Sequence, residues 1–131
     1  MAGNPEPLPA VSVRLEVMKT RPQFLAAARG ARQAMPGLVV QSRDRGDGDP
    51  VVHVGFTCSK KVGNAVARNR AKRRLRAAAR AVLPGLARPG WDYVLIGRAG
   101  ATADLPFDQL SGNLTRAIEK LHAAKPNGVK P

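Results

Sequence analysis

One cysteine, Cys58, stands in 131 residues, and the aromatic side chains are limited to Phe24, Phe56, Trp91, Tyr93 and Phe107. A lone thiol excludes an internal disulfide framework and any zinc site built on cysteines. So few rings leave the core to Val, Leu, Ile and Ala. Acid is scarce as well, with 9 Asp and Glu against 22 Lys and Arg and a formal net charge of +13. No apolar run approaches the ~18 residues of a membrane span, and the N-terminus lacks the basic-then-apolar order of a secretion signal. These absences predict a cytoplasmic protein that avoids membranes and ligates no metal with its own side chains. The length predicts one domain, which at this size buries roughly two thirds of the surface its unfolded chain exposes.

What is present is positive charge in one place. No acidic residue falls between Asp49 and Asp92, whereas Lys60, Lys61, Arg68, Arg70, Lys72, Arg73, Arg74, Arg76, Arg80 and Arg88 all do. Like charges at helical spacing destabilise the helix that carries them unless a partner neutralises them. An unmixed block of this kind therefore predicts a polyanionic ligand.

Residues 1–16, with three prolines among the first nine, read as a flexible tail, and residues 125–131 as a second one, leaving a domain over 17–124. Thr20-Arg21-Pro22-Gln23 has the form of a capping box and predicts a helix to about Gln33, stopped by Pro36-Gly37. Residues 38–42 and 51–59 read as strands of an antiparallel hairpin, joined through the Asp- and Gly-rich residues 43–50. Alternation in the second strand points Val52, Val54, Phe56 and Cys58 to the core. Asn64 is a suitable N-cap for a long helix closed by Pro84-Gly85, with Ala67, Ala71, Leu75, Ala78 and Val82 as its packed stripe. Residues 91–98, continuously apolar, predict a central strand covered on both faces. A last helix from about Asp104 to Ala124 has Phe107, Leu110, Leu114, Ile118 and Leu121 as its buried stripe. The pattern is α+β, in the order α-β-β-α-β-α.

The informative segment is residues 59–76, SKKVGNAVARNRAKRRLR. Lys60 and Lys61 sit where a strand turns, Gly63 lets backbone approach a phosphate, and the free N–H groups of the helix start add a fixed positive end. Arg68, Lys72 and Arg76, four residues apart, track a nucleic-acid backbone, and the planar guanidinium of arginine holds phosphates bidentately. Asn69 is the uncharged polar residue in this row, equally suited to reading a base edge or 2′-hydroxyl and to bonding the arginines beside it.

This string resembles the RNR signature of the bacterial ribonuclease P protein subunit, and the resemblance extends over roughly residues 18–122. It includes the basic entry Lys19 and Arg21, an early Phe24, the long basic helix and the strand WDYVLI. The resemblance implies a single-domain α-β-β-β-α-β-α sandwich with a left-handed β-α-β crossover. Its extra strand has no pattern of its own here and is expected from a break within residues 51–61. It also implies a ribonucleoprotein that removes the 5′ leader of precursor tRNA. In that enzyme the catalytic RNA holds the Mg2+ ions and supplies the chemistry, so no catalytic residue is expected in this chain. Carried over by position, Lys60, Lys61, Arg68, Asn69, Arg70, Lys72, Arg73 and Arg76 contact the catalytic RNA. A cleft beside the first helix, with Phe24, Lys19, Arg21 and Gln41, takes the leader, and one monomer serves each RNA. Phe24 is as well explained as a core anchor. Ala28 and Gln41 replace aromatics common in the family, which implies weaker stacking of the leader.

Two other classes fit the composition. An rRNA-binding structural protein shares the charge and size but not the RNR string. An autonomous nuclease needs an acid-base couple, and His53 and His122 lie on unrelated elements with no close acidic pair.

Overall fold

The computed structural model describes residues 14–123. Strand β1 (Leu15–Val17) precedes helix α1 (Arg21–Ala28), followed by β2 (Ala31–Ala34), β3 (Leu38–Asp44) and β4 (Val52–Thr57). A single 3-10 turn over Lys60–Val62 leads into α2 (Ala65–Leu86), and then come β5 (Trp91–Gly97), the one-turn α3 (Ala101–Asp104) and α4 (Phe107–Ala123). The five strands form one sheet in the order β1-β4-β5-β3-β2. This is an α+β domain, as the pattern of its elements predicts.

Strand β5 is central and doubly covered, as its continuous apolar run requires. Tyr93 and Leu95 enter the main core with Val52, Val54, Leu38 and Val40, beneath Leu75 and Leu83 of α2 and Leu114 and Ile118 of α4. Val94, on the opposite face, packs with Met18, Ala27, Phe24 and Ile96 under α1.

That centrality corrects the hairpin. Strands β3 and β4 do not pair with each other; β5 lies between them, antiparallel to β3 and parallel to β4. The acidic, glycine-rich residues 45–51 form a loop wide enough to bridge a strand rather than a tight turn. Arg45 ties it down through Asp49 O at 2.9 Å and Val51 O at 2.7 Å.

The extra strand is not in residues 51–61. It is β2, in a segment read from sequence as the end of the first helix, and it pairs antiparallel with β3 from Ala31↔Ser42 to Ala34↔Val39. Helix α1 ends at Ala28 because the chain turns onto β3 at Gly30, where a Cβ would lie 2.2 Å from Ser42 O. The open edge of β3 then overrides the weak strand propensity of Ala-Arg-Gln-Ala.

Two further boundaries move, and one expected core position lies outside. Leu15 and Glu16 are not in a tail, because β1 adds in parallel to β4 through Leu15↔Val52 and Glu16↔His53. Residues 1–13 and 124–131, which hold the rest of both expected tails, lie outside the described residues. Helix α2 passes through Pro84 and Gly85 to Leu86, with Ala87 N still bonded to Leu83 O at 2.8 Å. Arg80, whose carbonyl loses its donor to the proline, and Pro84 both lie on the exposed side of the helix. Phe107 is not buried: it is 42% exposed at the first position of α4, while Leu105 occupies the inward site against Gly37.

Candidate nucleic-acid interface

The basic segment is built from two capped starts. Ser59 Oγ accepts from Lys61 N at 3.2 Å in the 3-10 turn, and Gly63 then adopts φ of 140°, a conformation closed to most side chains. Asn64 Oδ1 accepts from Ala67 N at 2.9 Å, fixing the N-terminus of α2. Ala71, Leu75, Ala78, Ala79 and Leu83 bury one stripe of that helix. The rotation that results leaves Lys60, Lys61, Asn69, Arg70, Arg73 and Arg76 exposed, with Arg68 and Lys72 half-buried at the edge nearest the sheet. Among the described residues none of these cations has a carboxylate within 4.0 Å. They form one face of unneutralised charge.

Arg74 does not belong to that face. Its guanidinium donates to Thr102 O at 3.1 Å, Ala103 O at 2.6 Å and Leu105 O, capping the carbonyl end of α3 and joining it to α2. It is half-buried beside Leu75, where Arg70 and Arg73 are exposed. Arg76 leans the other way, its guanidinium carbon 5.6 Å from the ring centre of Phe56. Cys58 lies beneath Arg68 and Lys72; burial pushes its thiol pKa up despite those two charges.

The leader-cleft candidates lie on the other side of the sheet. In β4, Val52, Val54 and Phe56 face α2, while His53 and Gly55 face α1. Phe24 rests on Gly55 so closely that a Cβ there would stand 2.5 Å from its Cε1. Phe24 is therefore a partner of the small second core, with part of its ring left accessible on the α1 side of the sheet. Gln41, half-buried, lies in the same row of the sheet, opposite Val94, which in turn is opposite Gly55. Lys19 and Arg21 are exposed at the start of α1, where Gln23 Oε1 accepts from Lys19 N and Thr20 N at 3.0 and 3.2 Å. Between that helix start and His53 lies an open cavity of about 610 Å3, lined by Glu16, Val17, Lys19, Thr20, Gln23 and His53.

His53 is tied into a network that the sequence did not signal. Its Nδ1 lies 3.1 Å from Asp92 Oδ1, which also receives Arg45 at 2.6 Å. Burial works against the Arg45 charge, but the bonds to Asp47 and Asp92 outweigh it and raise its pKa above the ordinary value. Among the described residues no group of three or more His, Cys, Asp or Glu is placed to hold a metal ion, and no helix is long and apolar enough to cross a membrane.

Comparison with known proteins identifies the family. The family model described as Ribonuclease P matches residues 13–122. The ribonuclease P protein component of Ruegeria pomeroyi is 60% identical over 123 residues, covering 90% of this chain and 98% of that protein. The protein of the same name from Caulobacter vibrioides is 53% identical over 112 residues, covering 86% of this chain and 74% of its own. Among solved structures, the RNase P protein of Staphylococcus aureus superposes with a TM-score of 0.66 at 26% identity, over 79% of this chain and 93% of that one. The Thermotoga maritima RNase P protein gives 0.66 at 25% identity, over 80% and 96%.

Proposed function

The chain belongs to the ribonuclease P protein family, a subunit of a ribonucleoprotein endoribonuclease in tRNA processing, and on that premise we propose how its surfaces divide the work. The face of α2 and its entry turn, from Lys60 to Arg76, binds the catalytic RNA. Phosphates neutralise the exposed cations and release counterions, so affinity falls steeply with salt. The α1 side of the sheet receives the single-stranded 5′ leader of precursor tRNA, with Phe24 offering a ring face and Lys19, Arg21 and Gln41 the polar contacts. The two surfaces lie to opposite sides of β4, whose Val52, Val54 and Phe56 face α2 and whose Gly55 faces Phe24 of α1.

The observation that carries this reading is the run of cations from Lys60 to Arg76, with no carboxylate partner among the described residues. The protein contributes binding and placement. Mg2+ ions held by the catalytic RNA supply activated water and charge stabilisation at the scissile phosphate. One monomer per catalytic RNA, acting in the cytoplasm, completes the proposal.

The test is reconstitution. Added to a bacterial ribonuclease P RNA at low Mg2+, the protein restores cleavage of precursor tRNA at the mature 5′ end. Absence of stimulation at every protein concentration refutes the assignment, and cleavage by the protein without RNA refutes the division of labour.

A further inference from the structure

Phe107 begins α4 with 42% of its surface exposed, although its spacing matches the buried stripe of that helix. It does not stand alone. With Arg70, Arg73, Arg74 and Ala77 it lines a cavity of about 370 Å3 between α2 and α4, within the ~300–1,000 Å3 range of ligand clefts. The grip of Arg74 on the carbonyls of Thr102, Ala103 and Leu105 pins the turn that presents Phe107. The ring is therefore held beside α2 by a rigid corner. Arg70 and Arg73 are exposed, and neither is bonded to the neighbouring Asp104 or Asp108.

A fixed aromatic face flanked by guanidinium groups suits one ligand class in particular. An unpaired nucleobase stacks on the ring while its own phosphates meet the arginines. A protein partner would leave Arg70 and Arg73 to be matched by acids, on a surface continuous with the unneutralised face of α2. We propose that Phe107, Arg70 and Arg73 form a seat for one unpaired base of the catalytic RNA, carrying the interface from α2 onto the start of α4. This rests on the reading that α2 binds that RNA.

The experiment measures binding of the full-length protein to the catalytic RNA across a salt series, with melting temperatures to show that each variant is folded. Phe107→Ala and Phe107→Leu should each weaken binding roughly 5- to 150-fold, the range that loss of one base stack gives. Phe107→Trp should retain it. The salt slope stays unchanged in all three, whereas Arg70→Ala and Arg73→Ala each flatten it by about one unit. Wild-type affinity in Phe107→Ala and Phe107→Leu, with the arginine variants weakened, overturns the seat and leaves the reading of α2 standing. Full recovery in Phe107→Leu overturns it in favour of plain apolar packing. A loss seen only for leader-bearing substrate overturns the choice of RNA. Failure of the wild-type protein to bind the catalytic RNA removes the underlying reading and the seat with it.

Discussion

Arg45 and Asp92 meet at 2.6 Å beneath the loop that joins β3 to β4, with 8% and 2% of their side chains exposed. One is on the loop and the other on the central strand, so the pair fastens the bridging segment to the strand it crosses. Removing one partner of a buried pair leaves the other charge uncompensated, a loss of about 3 kcal/mol. Asp92→Ala should therefore lower unfolding free energy by about that amount in urea titration. Arg45→Met combined with Asp92→Leu should recover part of it. A loss below about 1 kcal/mol in Asp92→Ala would mean that Asp47 and the loop carbonyls alone hold Arg45.

Neighbouring arginines of α2 should separate into two kinds. Arg74→Ala removes charge-assisted bonds to three carbonyls and should cost about 2–3 kcal/mol of stability. Arg70→Ala should leave stability within about 0.5 kcal/mol of wild type and act on RNA affinity instead. Thermal melts paired with RNA binding check both, and equal effects of the two variants on the melt would contradict the division.

Gly55 tests the cleft without touching its ring. A Cβ at this position would intrude 2.5 Å from Phe24 Cε1, so Gly55→Ala must displace Phe24. Both Gly55→Ala and Phe24→Ala should weaken binding of leader-bearing precursor more than of leaderless tRNA, by about 1 kcal/mol or more if a base stacks on the ring. Equal losses on both substrates would mark Phe24 as a core anchor alone.

Acid should loosen the C-terminal helix. Tyr93 Oη accepts from Arg88 N at 2.9 Å and lies 2.7 Å from His122 Nε2. Its own proton thus goes to a neutral imidazole. Burial, then the charge of Arg88, lowers the His122 pKa to about 4, while burial raises that of Tyr93 to about 12. Between pH 6.5 and about 4 the unfolded chain binds the proton that the folded one refuses, so stability falls as pH falls through that window. The ring is only half-buried, so the loss is about 1 kcal/mol rather than the full displacement. His122→Gln should flatten the melting temperature across that window; an unchanged slope would assign the acid sensitivity elsewhere.

Several features were legible because they are local. Asn64 caps the helix it was expected to cap, and the parity of Val52, Val54 and Phe56 placed the core side of β4 correctly. The apolar run from Trp91 identified the central strand. What was hidden depends on contacts distant in sequence. Ala31–Ala34 is a strand because β3 offers an edge, and nothing in those residues says so. The separation of β3 from β4 follows from β5 pairing along both of its edges, with β3 on one and β4 on the other. Phe107 keeps the spacing of its stripe yet stays outside, because Leu105 reaches the inward site first. Within the basic segment, residue types and spacing predicted a polyanion face, but only the tertiary position of Thr102, Ala103 and Leu105 shows that Arg74 serves the fold.

The place of β5 also has a consequence in time. During synthesis β3 and β4 leave the ribosome with no partner for each other, and the strand that joins them is made dozens of residues later. Until Trp91–Gly97 emerges, the half-made chain carries two open strand edges and the entire basic segment. Such a topology, rich in long-range pairing, folds late and is exposed to aggregation meanwhile. Nascent chains arrested before Trp91 should accordingly show no protease-resistant sheet, and chains extended past α4 should show all of it. The basic helix would then be free to meet RNA before the domain that displays it has closed.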